Sequence, residues 1–415
     1  MEPAARVASP PGFAPETAAF YQRDPDAAFA RLRRDDPVHW YEQGRFWCIT
    51  KHADVQEVGR RPRDFCSSRG TQIFQIALRH AGDDAPIARQ ASAVVGEMAP
   101  NILMMDPPQH NRMRKLVIGA FTPRSAGHLE PRIREIARET LAAVPRVERV
   151  NFVDELAVPL PMLVIAEMIG VPREDRDDFR RWSDQMVRAG AGIFDEDTAR
   201  TFAELFAYLG ERVKECREAP RDDVLSMLIR SEIDGDALRD SEVVMFLLTL
   251  LVAGNETTRN LIAGGARLLL EHPEQLGRLS AEPERLPNAV EEMLRLISPV
   301  RNFCRCATRD VGLRGETIRK GDWLAMFYAS ANRDEDVFGA DAHAFRIDRP
   351  RARQHVAFGF GEHLCLGASL ARLEARVLFE ELLPLLPKTE LAGPVVPLAS
   401  NLMNGLVDMP VVLPA

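Results

Sequence analysis

The residues around one cysteine near the carboxyl end of the chain strongly restrict the folds that this chain can adopt. Cys365 lies in the stretch Phe-Gly-Phe-Gly-Glu-His-Leu-Cys-Leu-Gly over residues 358–367, and a helical pattern rich in Ala, Leu, Arg and Glu follows over 368–383. The free N–H groups and the positive dipole end of a helix favour a deprotonated sulfur. Glycines let a backbone approach a flat, bulky group without a Cβ clash. The fold must therefore hold this loop against such a group and continue directly into a helix.

A thiolate held in this way has the properties that a haem iron requires of a ligand. The simplest alternative is a buried, inert cysteine, which is the usual fate of a lone free thiol. A merely buried cysteine would not require the surrounding Gly359, Gly361, His363 and Gly367. We therefore favour the haem ligand.

The pattern Phe-Gly-x-Gly-x-His-x-Cys-x-Gly resembles the haem-binding loop of the cytochrome P450 family, and the further motifs described below follow in that family's order. The resemblance implies haem b as the cofactor and Cys365 as the iron ligand. It also implies the family's fold, which is mainly α with a small β portion. That fold is a triangular prism with haem between a long central helix and the cysteine loop. Further loop residues are implied to lie at the cofactor: Phe358, Gly359, His363 and Gly367.

Length and composition favour one large domain. The chain has 415 residues, a formal charge of −8 and no long Gly/Ser-rich linker. We also find no repeat of fixed period. A mildly acidic chain lacks the basic surface that nucleic acid requires, so we expect no nucleic-acid partner. We predict a single domain over residues 19–415, preceded by a flexible tail over residues 1–18.

Cysteine usage and hydropathy predict a soluble, cytoplasmic protein. The six cysteines form no CxxC pair, which suits a reducing compartment. Cys304 and Cys306 are two apart, and we interpret them as alternating positions on a strand rather than as metal ligands. The amino terminus lacks the basic region and apolar core of a signal peptide. The longest apolar run, 245–253, is far shorter than the roughly 20 residues of a membrane span, so we expect no membrane anchor.

Periodicity predicts many helices and few strands. Aromatic and β-branched runs over 38–41 and 45–50 predict a β-hairpin, and short strands are predicted within 304–327. The longest helical pattern, 241–271, has Ser241 as its candidate N-cap and ends before a His-Pro pair. At 1.5 Å per residue it spans roughly 45 Å, the width of the domain. Further helices are predicted over 51–60, 107–120, 132–144, 160–169, 174–189, 198–217 and 287–297, and a loop with short helical pieces over 70–99.

The middle of this long helix carries the sequence Ala-Gly-Asn-Glu-Thr-Thr over 253–258. Glycine costs about 1 kcal/mol relative to alanine in a helix interior, so Gly254 requires a reason, such as close approach of a cofactor. The sequence resembles the family's acid–alcohol motif. The resemblance implies that Ala253 and Gly254 face the cofactor, and that Glu256 and Thr257 relay protons for dioxygen activation. Without the cysteine loop, Glu256 would be interpreted as an ordinary exposed helical residue.

A structural ion network is predicted from a second helical motif. Glu292 and Arg295 are three residues apart, close enough for an ion pair. Spacing alone carries little weight, because exposed pairs of this kind contribute about 0.5 kcal/mol or less. The Glu-x-x-Arg sequence resembles the family's structural motif, which includes another arginine downstream. Arg349 is the candidate for that residue, and Arg346 is the alternative.

Haem carries two propionates that need cationic or donor partners, and the planar fork of arginine pairs with two oxygens at once. The resemblance implies four partners: His110, Arg114, Arg305 and His363. Other basic residues nearby form either a docking surface for an acidic electron carrier or a set of scattered, solvated charges, and we give the two interpretations equal weight. These residues are Arg112, Lys115, Arg351, Arg353, Arg372 and Arg376.

Mostly apolar segments are implied to surround the substrate, and their Met and Phe side chains adapt to its shape. The named contacts are Leu248, Val252, Val300, Asn302 and Met403. We therefore expect a hydrophobic substrate. The segments 299–305 and 401–406 look like those of bacterial members that oxidise sterol side chains and branched lipids, so we expect a steroid, a sterol side chain or a branched lipid, with a terpenoid as the alternative.

The implied function is hydroxylation of an unactivated C–H bond by a haem-thiolate monooxygenase. The reaction uses O2 and two electrons from NAD(P)H, delivered by a ferredoxin-type donor with its reductase. One alternative is a peroxide-driven peroxygenase, although such relatives tend to lose the acid–alcohol pair. The other is a non-catalytic haem-binding protein. We expect a monomer.

Overall fold

A computed structural model describes residues 7–23, 25–81, 101–190, 196–221 and 223–415. Helices dominate these residues and strands are a small part, as predicted. The helices are α1 Ala18–Tyr21, α2 Asp26–Asp35, α3 His52–Gly59, α4 Ile73–Ala81, α5 Gln109–Val117, α6 Pro123–His128, α7 Glu130–Ala143, α8 Pro159–Ile169, α9 Arg176–Gly190, α10 Glu196–Glu218, α11 Val224–Arg230, α12 Asp240–Glu271, α13 Pro273–Ala281, α14 Leu286–Ile297, α15 Tyr328–Ala331, α16 Glu335–Phe338 and α17 Ala368–Leu382. The strands are β1 Val38–Tyr41, β2 Phe46–Ile49, β3 Phe65–Cys66, β4 Arg149–Asn151, β5 Glu232–Ile233, β6 Asp236–Ala237, β7 Asn302–Ala307, β8 Val311–Leu313, β9 Glu316–Ile318, β10 Trp323–Phe327, β11 Glu390–Leu391, β12 Val396–Pro397, β13 Leu406–Asp408 and β14 Pro410–Val412.

Five strands form the main sheet, in the order β1-β2-β10-β7-β3. β1 and β2 are the predicted hairpin and pair antiparallel. β10 runs parallel to β2 and antiparallel to β7, and the two-residue β3 forms the edge with Cys66 opposite Cys306. Cys304 and Cys306 therefore occupy alternating positions on a strand, as predicted. Within the described ranges, no group of His, Cys, Asp and Glu side chains is suited to a metal ion.

The long helix α12 begins at Asp240 and has a different cap from the one predicted. Its N-cap is Arg239, whose backbone is extended, and the Glu242 carboxylate accepts a hydrogen bond from the Arg239 N–H at 2.9 Å. The prediction that Ser241 caps the helix is wrong, because Ser241 already lies inside the first turn and Glu242 reaches back to the N-cap instead. The helix ends before His272 and the following proline, as predicted.

The elements around the long helix position the cysteine loop. α12 packs against α8, α9, α10, α14 and α17. α17 is the helix that follows Cys365, and it also packs against α7 and α14. The loop and the middle of the long helix are thus anchored in the same core.

The remaining predicted helices are found where they were expected, as α3, α7, α8, α9, α10 and α14. The predicted helix over 107–120 divides into α5 and the 3-10 turn Ile118–Phe121. The predicted loop over 70–99 contains α4, and its residues 82–99 lie outside the described part. None of the helices described combines the length and the apolar character of a membrane span.

The amino-terminal segment is packed from Phe13 onward. Phe13 is 6% exposed, and its ring lies edge-on to those of Phe20 and Tyr41 at 5.3 and 5.6 Å. Asn401 donates a hydrogen bond to the Glu16 carbonyl at 2.7 Å. This packing differs from the flexible tail expected over residues 1–18, of which 1–6 lie outside the described part.

Candidate functional site

The cysteine loop folds back on itself before it enters α17. Gly359 and Gly361 have φ angles of 73° and 77°, a left-handed backbone that side chains disfavour. The Cys365 N–H donates to the Phe358 carbonyl at 3.0 Å. A Cβ atom at position 361 would lie 2.0 Å from the Gly59 carbonyl oxygen. The loop can therefore take this path only with glycine at that position.

The Cys365 sulfur lies deep in the protein but is not covered. Burial raises the pKa of the Cys365 thiol, while the Gly367 N–H and the charges of Arg114 and Arg372 oppose this rise. The side chain is nevertheless accessible to solvent. A sulfur that is deep and also accessible faces an internal cavity. Because a metal cation removes the proton of a coordinating thiol outright, this sulfur is well placed to bind one.

One face of the long helix is open although most of the helix is buried. Ala253 is exposed and Thr257, one turn later on the same face, is half-buried. Their neighbours Leu251 and Asn255 are buried. The small Ala253 side chain thus leaves a flat accessible patch in the middle of α12, which suits a planar cofactor.

Gly254 lies against a neighbouring helix. A Cβ atom there would lie 2.9 Å from the Cδ1 atom of Ile165 on α8. The missing side chain therefore lets α8 and α12 pack closely. The close approach of a cofactor at Gly254 stays a prediction, and its neighbour Ala253 is exposed.

Glu256 and Thr257 lie on an uninterrupted stretch of the helix α12. The Thr257 hydroxyl donates to the Ala253 carbonyl at 2.7 Å, so the helix is not opened at this turn. Glu256 is 7% exposed, and its carboxylate lies 3.7 Å from the Arg259 guanidinium. Burial raises the pKa of Glu256, and the charge of Arg259 opposes this. A carboxyl with a raised pKa keeps its proton to higher pH and can donate it there.

The four residues predicted to hold propionates lie in one cluster. The His110 and His363 rings are 4.2 Å apart. Burial lowers the pKa of His363 to about 2, and the nearby charges of Arg305, His110 and Arg114 act in the same direction. In the described part of the chain, neither Arg114 nor Arg305 forms an ion pair with a carboxylate. Guanidinium groups withdrawn from water need an anionic partner, so the cluster fits a group with two carboxylates.

Sequence reasoning missed the residues that hold this cluster in place. Ser67 Oγ lies 3.1 Å from His363 Nε2, and Glu362 Oε1 lies 3.2 Å from His110 Nδ1. Asp106 accepts a hydrogen bond from the Ser67 N–H at 2.6 Å. No sequence signal marks Ser67, because it is 296 residues from His363 along the chain.

Glu292, Arg295 and Arg349 form one buried network. Arg295 donates to both Glu292 oxygens at 2.7 and 2.8 Å, and Arg349 donates to Oε1 at 2.8 Å. The three side chains are 0–2% exposed. Arg346 gives Glu292 only its backbone N–H, at 3.2 Å, and its side chain pairs with Asp341. The second guanidinium therefore comes from Arg349 and not from the alternative.

The predicted substrate contacts divide into two groups. Val300 and Met403 are joined by a β-bridge, and Val252 and Val300 are half-buried. Leu248 is 7% exposed and belongs to the core cluster around α12. Asn302 differs, because it is 1% exposed and its amide donates to a carbonyl of the carboxyl-terminal segment at 2.8 Å. We therefore reassign Asn302 from substrate contact to structural link.

Half of the residues of the predicted basic patch are neutralised. Arg112, Arg372 and Arg376 pair with nearby carboxylates at 2.6–2.8 Å. Arg353 remains 79% exposed and lies 3.7 Å from Glu291. With Arg372 and Arg376 it lines a groove of about 410 Å³ on α17, the helix that follows the cysteine. Of the three arginines that line this groove, Arg353 is the most exposed.

Comparison with known proteins agrees with this geometry. The chain is 41% identical over 391 residues to the steroid C26-monooxygenase of Mycolicibacterium smegmatis, which covers 93% of this chain and 92% of the relative. It is 36% identical over 406 residues to the linalool 8-monooxygenase of Pseudomonas putida, covering 95% and 97%. The chain belongs to the cytochrome P450 family. The family model described as Cytochrome P450 matches residues 192–385 of this P450. The solved structure of the P450 CYP109E1 from Bacillus megaterium with testosterone superimposes with a TM-score of 0.82 at 33% identity, covering 94% of this chain and 99% of that chain.

Membership confirms the predicted family, fold class, enzyme class and cofactor. This P450 is a monooxygenase, and its family binds haem b through a cysteine thiolate. Three independent features of the chain fit haem: the accessible sulfur of Cys365, the open helix face at Ala253, and the arginines 114 and 305, which form no ion pair with a carboxylate of the described residues.

Proposed function

We propose that this P450 hydroxylates an unactivated C–H bond of a steroid or a sterol side chain. The proposal is carried by the apolar character of the predicted contact positions. Val252 lies one turn after Leu248 on α12, and Val300 is joined to Met403 by a β-bridge. No acid or base stands at these four positions, so a large apolar skeleton is bound by burial of its surface. A relative named for steroids and a solved family member holding testosterone support this class.

A panel of apolar ligands tests the substrate class. We expect steroids to shift the haem absorption toward the high-spin form with micromolar affinity, because burying a rigid skeleton costs little conformational entropy. A terpenoid alcohol is the second candidate, which the linalool-oxidising relative supports. A shift with linalool and none with any steroid would overturn the steroid proposal and favour the second candidate.

We propose Cys365 as the thiolate ligand. Haem, when bound, supplies the oxidising chemistry. Around it the chain supplies binding and orientation: the guanidiniums of Arg114 and Arg305 and the imidazoles of His110 and His363 would hold the propionates. The two arginines do this best, since a guanidinium pairs with two oxygens at once and neither forms an ion pair with a carboxylate in the residues described.

We also propose that Glu256 delivers protons through Thr257. Its raised pKa means that the proton-donating form is present below that pKa and is lost as the pH rises through it. Turnover should therefore decline on the alkaline side. Retention of both residues also favours reaction with O2 and electrons over reaction with peroxide.

Glu256→Gln tests the proton path. We expect kcat to fall by about a hundredfold, the scale of a lost general acid, and the alkaline decline to disappear because glutamine does not titrate. The measurement is a pH profile of kcat with substrate saturating. Glu271→Gln, an exposed acid at the end of the same helix, is the control. An unchanged kcat and an unchanged profile in Glu256→Gln would remove Glu256 from the path.

We propose a ferredoxin-type electron donor that docks at the groove on α17. The groove lies beside the cysteine loop and presents the exposed Arg353 to an acidic partner. Arg353→Glu should raise the KM for such a ferredoxin by roughly tenfold at low salt, with little difference at high salt. Reduction kinetics at two ionic strengths measure this effect. Arg31→Glu, on α2, is the matched control, and equal KM changes in both variants would count against this docking site.

A further inference from the structure

Two thiols face each other at the edge of the main sheet. Cys66 on β3 and Cys306 on β7 are direct cross-strand partners. Paired residues of an antiparallel sheet have Cα atoms about 4.5–5.5 Å apart, which lies within the range of about 4.4–6.8 Å that a disulfide spans. The two side chains share a hydrogen bond, and both thiols are free.

The surroundings of this pair differ from those of the other thiols. Cys48 and Cys304 are fully buried, and burial raises the pKa of each. Cys216 is occupied by a contact with the Ser226 hydroxyl at 3.0 Å. Cys66, by contrast, lies on an edge strand and is 8% exposed.

Polar groups beside the pair favour a thiolate. The Arg69 guanidinium lies 3.9 Å from the Cys306 sulfur. The hydrogen bond from Cys306 lowers the pKa of Cys66 to about 6, and the Ser68 hydroxyl and the Arg69 N–H act in the same direction. Ser68 and Arg69 are exposed, so a small reagent approaches from their side. Within this pair, Cys66 is therefore the sulfur that reacts first.

We propose that Cys66 and Cys306 form a reversible disulfide when the protein meets hydrogen peroxide. The Cys66 thiolate attacks one peroxide oxygen, the O–O bond breaks, and a sulfenic acid and one water result once the departing hydroxide takes up a proton. The Cys306 sulfur then attacks the Cys66 sulfur and releases the second oxygen as water. Two electrons pass from the two sulfurs to the peroxide, and an external dithiol reverses the reaction.

The disulfide would link two segments that border the cluster of His110, Arg114, Arg305 and His363. Ser67, next to Cys66, contacts His363 at 3.1 Å. Arg305 is next to Cys306 on β7. The thiol chemistry itself does not depend on the proposed substrate or electron donor, so it can be tested independently of them.

Peptide mapping of the full-length, haem-loaded protein tests the proposal. The protein is treated with a small excess of hydrogen peroxide, blocked with N-ethylmaleimide and digested. We expect a cross-linked peptide that contains Cys66 and Cys306, two fewer alkylated thiols, and recovery of both after dithiothreitol. The haem absorption spectrum, recorded in parallel, shows that the fold persists during treatment.

Single variants identify the order of reaction. In Cys306→Ser we expect Cys66 to stop at the sulfenic acid, which dimedone captures, and in Cys66→Ser we expect Cys306 to remain alkylatable. Cys216→Ser is the matched control and keeps the cross-link. Full alkylation of both thiols in peroxide-treated wild type, with the haem spectrum intact, would overturn the proposal. That result is obtained with the wild-type protein, so it does not depend on whether any variant folds.

Discussion

Replacement of Cys365 by alanine is expected to yield a protein that lacks the thiolate-haem spectrum and has no monooxygenase activity. The other cysteines in the described ranges are buried, so none is able to supply a sulfur to the cavity. Loss of the thiolate also removes the electron donation that favours O–O cleavage. The measurements are the spectrum of the reduced, carbon-monoxide-bound protein and turnover with NAD(P)H and a ferredoxin system.

Two further variants make this result specific. Cys216→Ala removes a thiol on α10 and should retain both spectrum and activity. Cys365→His should bind haem with the band of an imidazole ligand in place of the red-shifted thiolate band. If Cys365→Ala kept the thiolate band and normal turnover, the assignment of the ligand would be wrong.

Glu292→Gln is expected to destabilise the protein by about 3–5 kcal/mol, the usual consequence of removing one partner from a buried ion network. Glutamine has nearly the shape of glutamate, so packing is kept and only the charge is lost. The buried guanidinium of Arg295 is then left without a counter-charge, and that of Arg349 keeps only its pair with the half-exposed Asp341 at 3.0 Å. Thermal midpoints of the haem-loaded proteins measure the change.

Arg346→Gln provides the comparison for that experiment. Arg346 gives Glu292 a backbone N–H that the variant retains, and its side chain pairs with the half-exposed Asp341. Such a pair contributes about 1 kcal/mol at most. Similar midpoints for Glu292→Gln and wild type would show that the network is not a major source of stability.

Features encoded in short segments were predictable from the sequence. The Cys365 loop, the long helix and the Glu292–Arg295 spacing depend on residues within a few turns of one another, so local pattern and conformational preference define them. The choice between Arg349 and Arg346 needed the structure. The two arginines are at nearly the same sequence separation from Glu292, and only packing decides which side chain points inward.

Features that depend on distant segments were missed. Ser67 reaches His363 only because β3 adds to the edge of the main sheet, and a two-residue strand has no periodicity to detect. The packing at Gly254 was missed for a similar reason, since nothing near it in the sequence indicates that Ile165 fills the space of its absent side chain. Asn302 was misassigned because its polar amide is satisfied by a carbonyl about 100 residues away.

One carboxylate couples the two segments that matter most for catalysis. Glu242, at the start of α12, also accepts a hydrogen bond from Arg112 on α5 at 2.8 Å. Arg112 stands between His110 and Arg114, while α12 carries Glu256 and Thr257. A charged hydrogen bond thus joins the start of α12 to α5. A conformational change that admits a large substrate must either move α5 and α12 together as a rigid body or break the contact between Arg112 and Glu242.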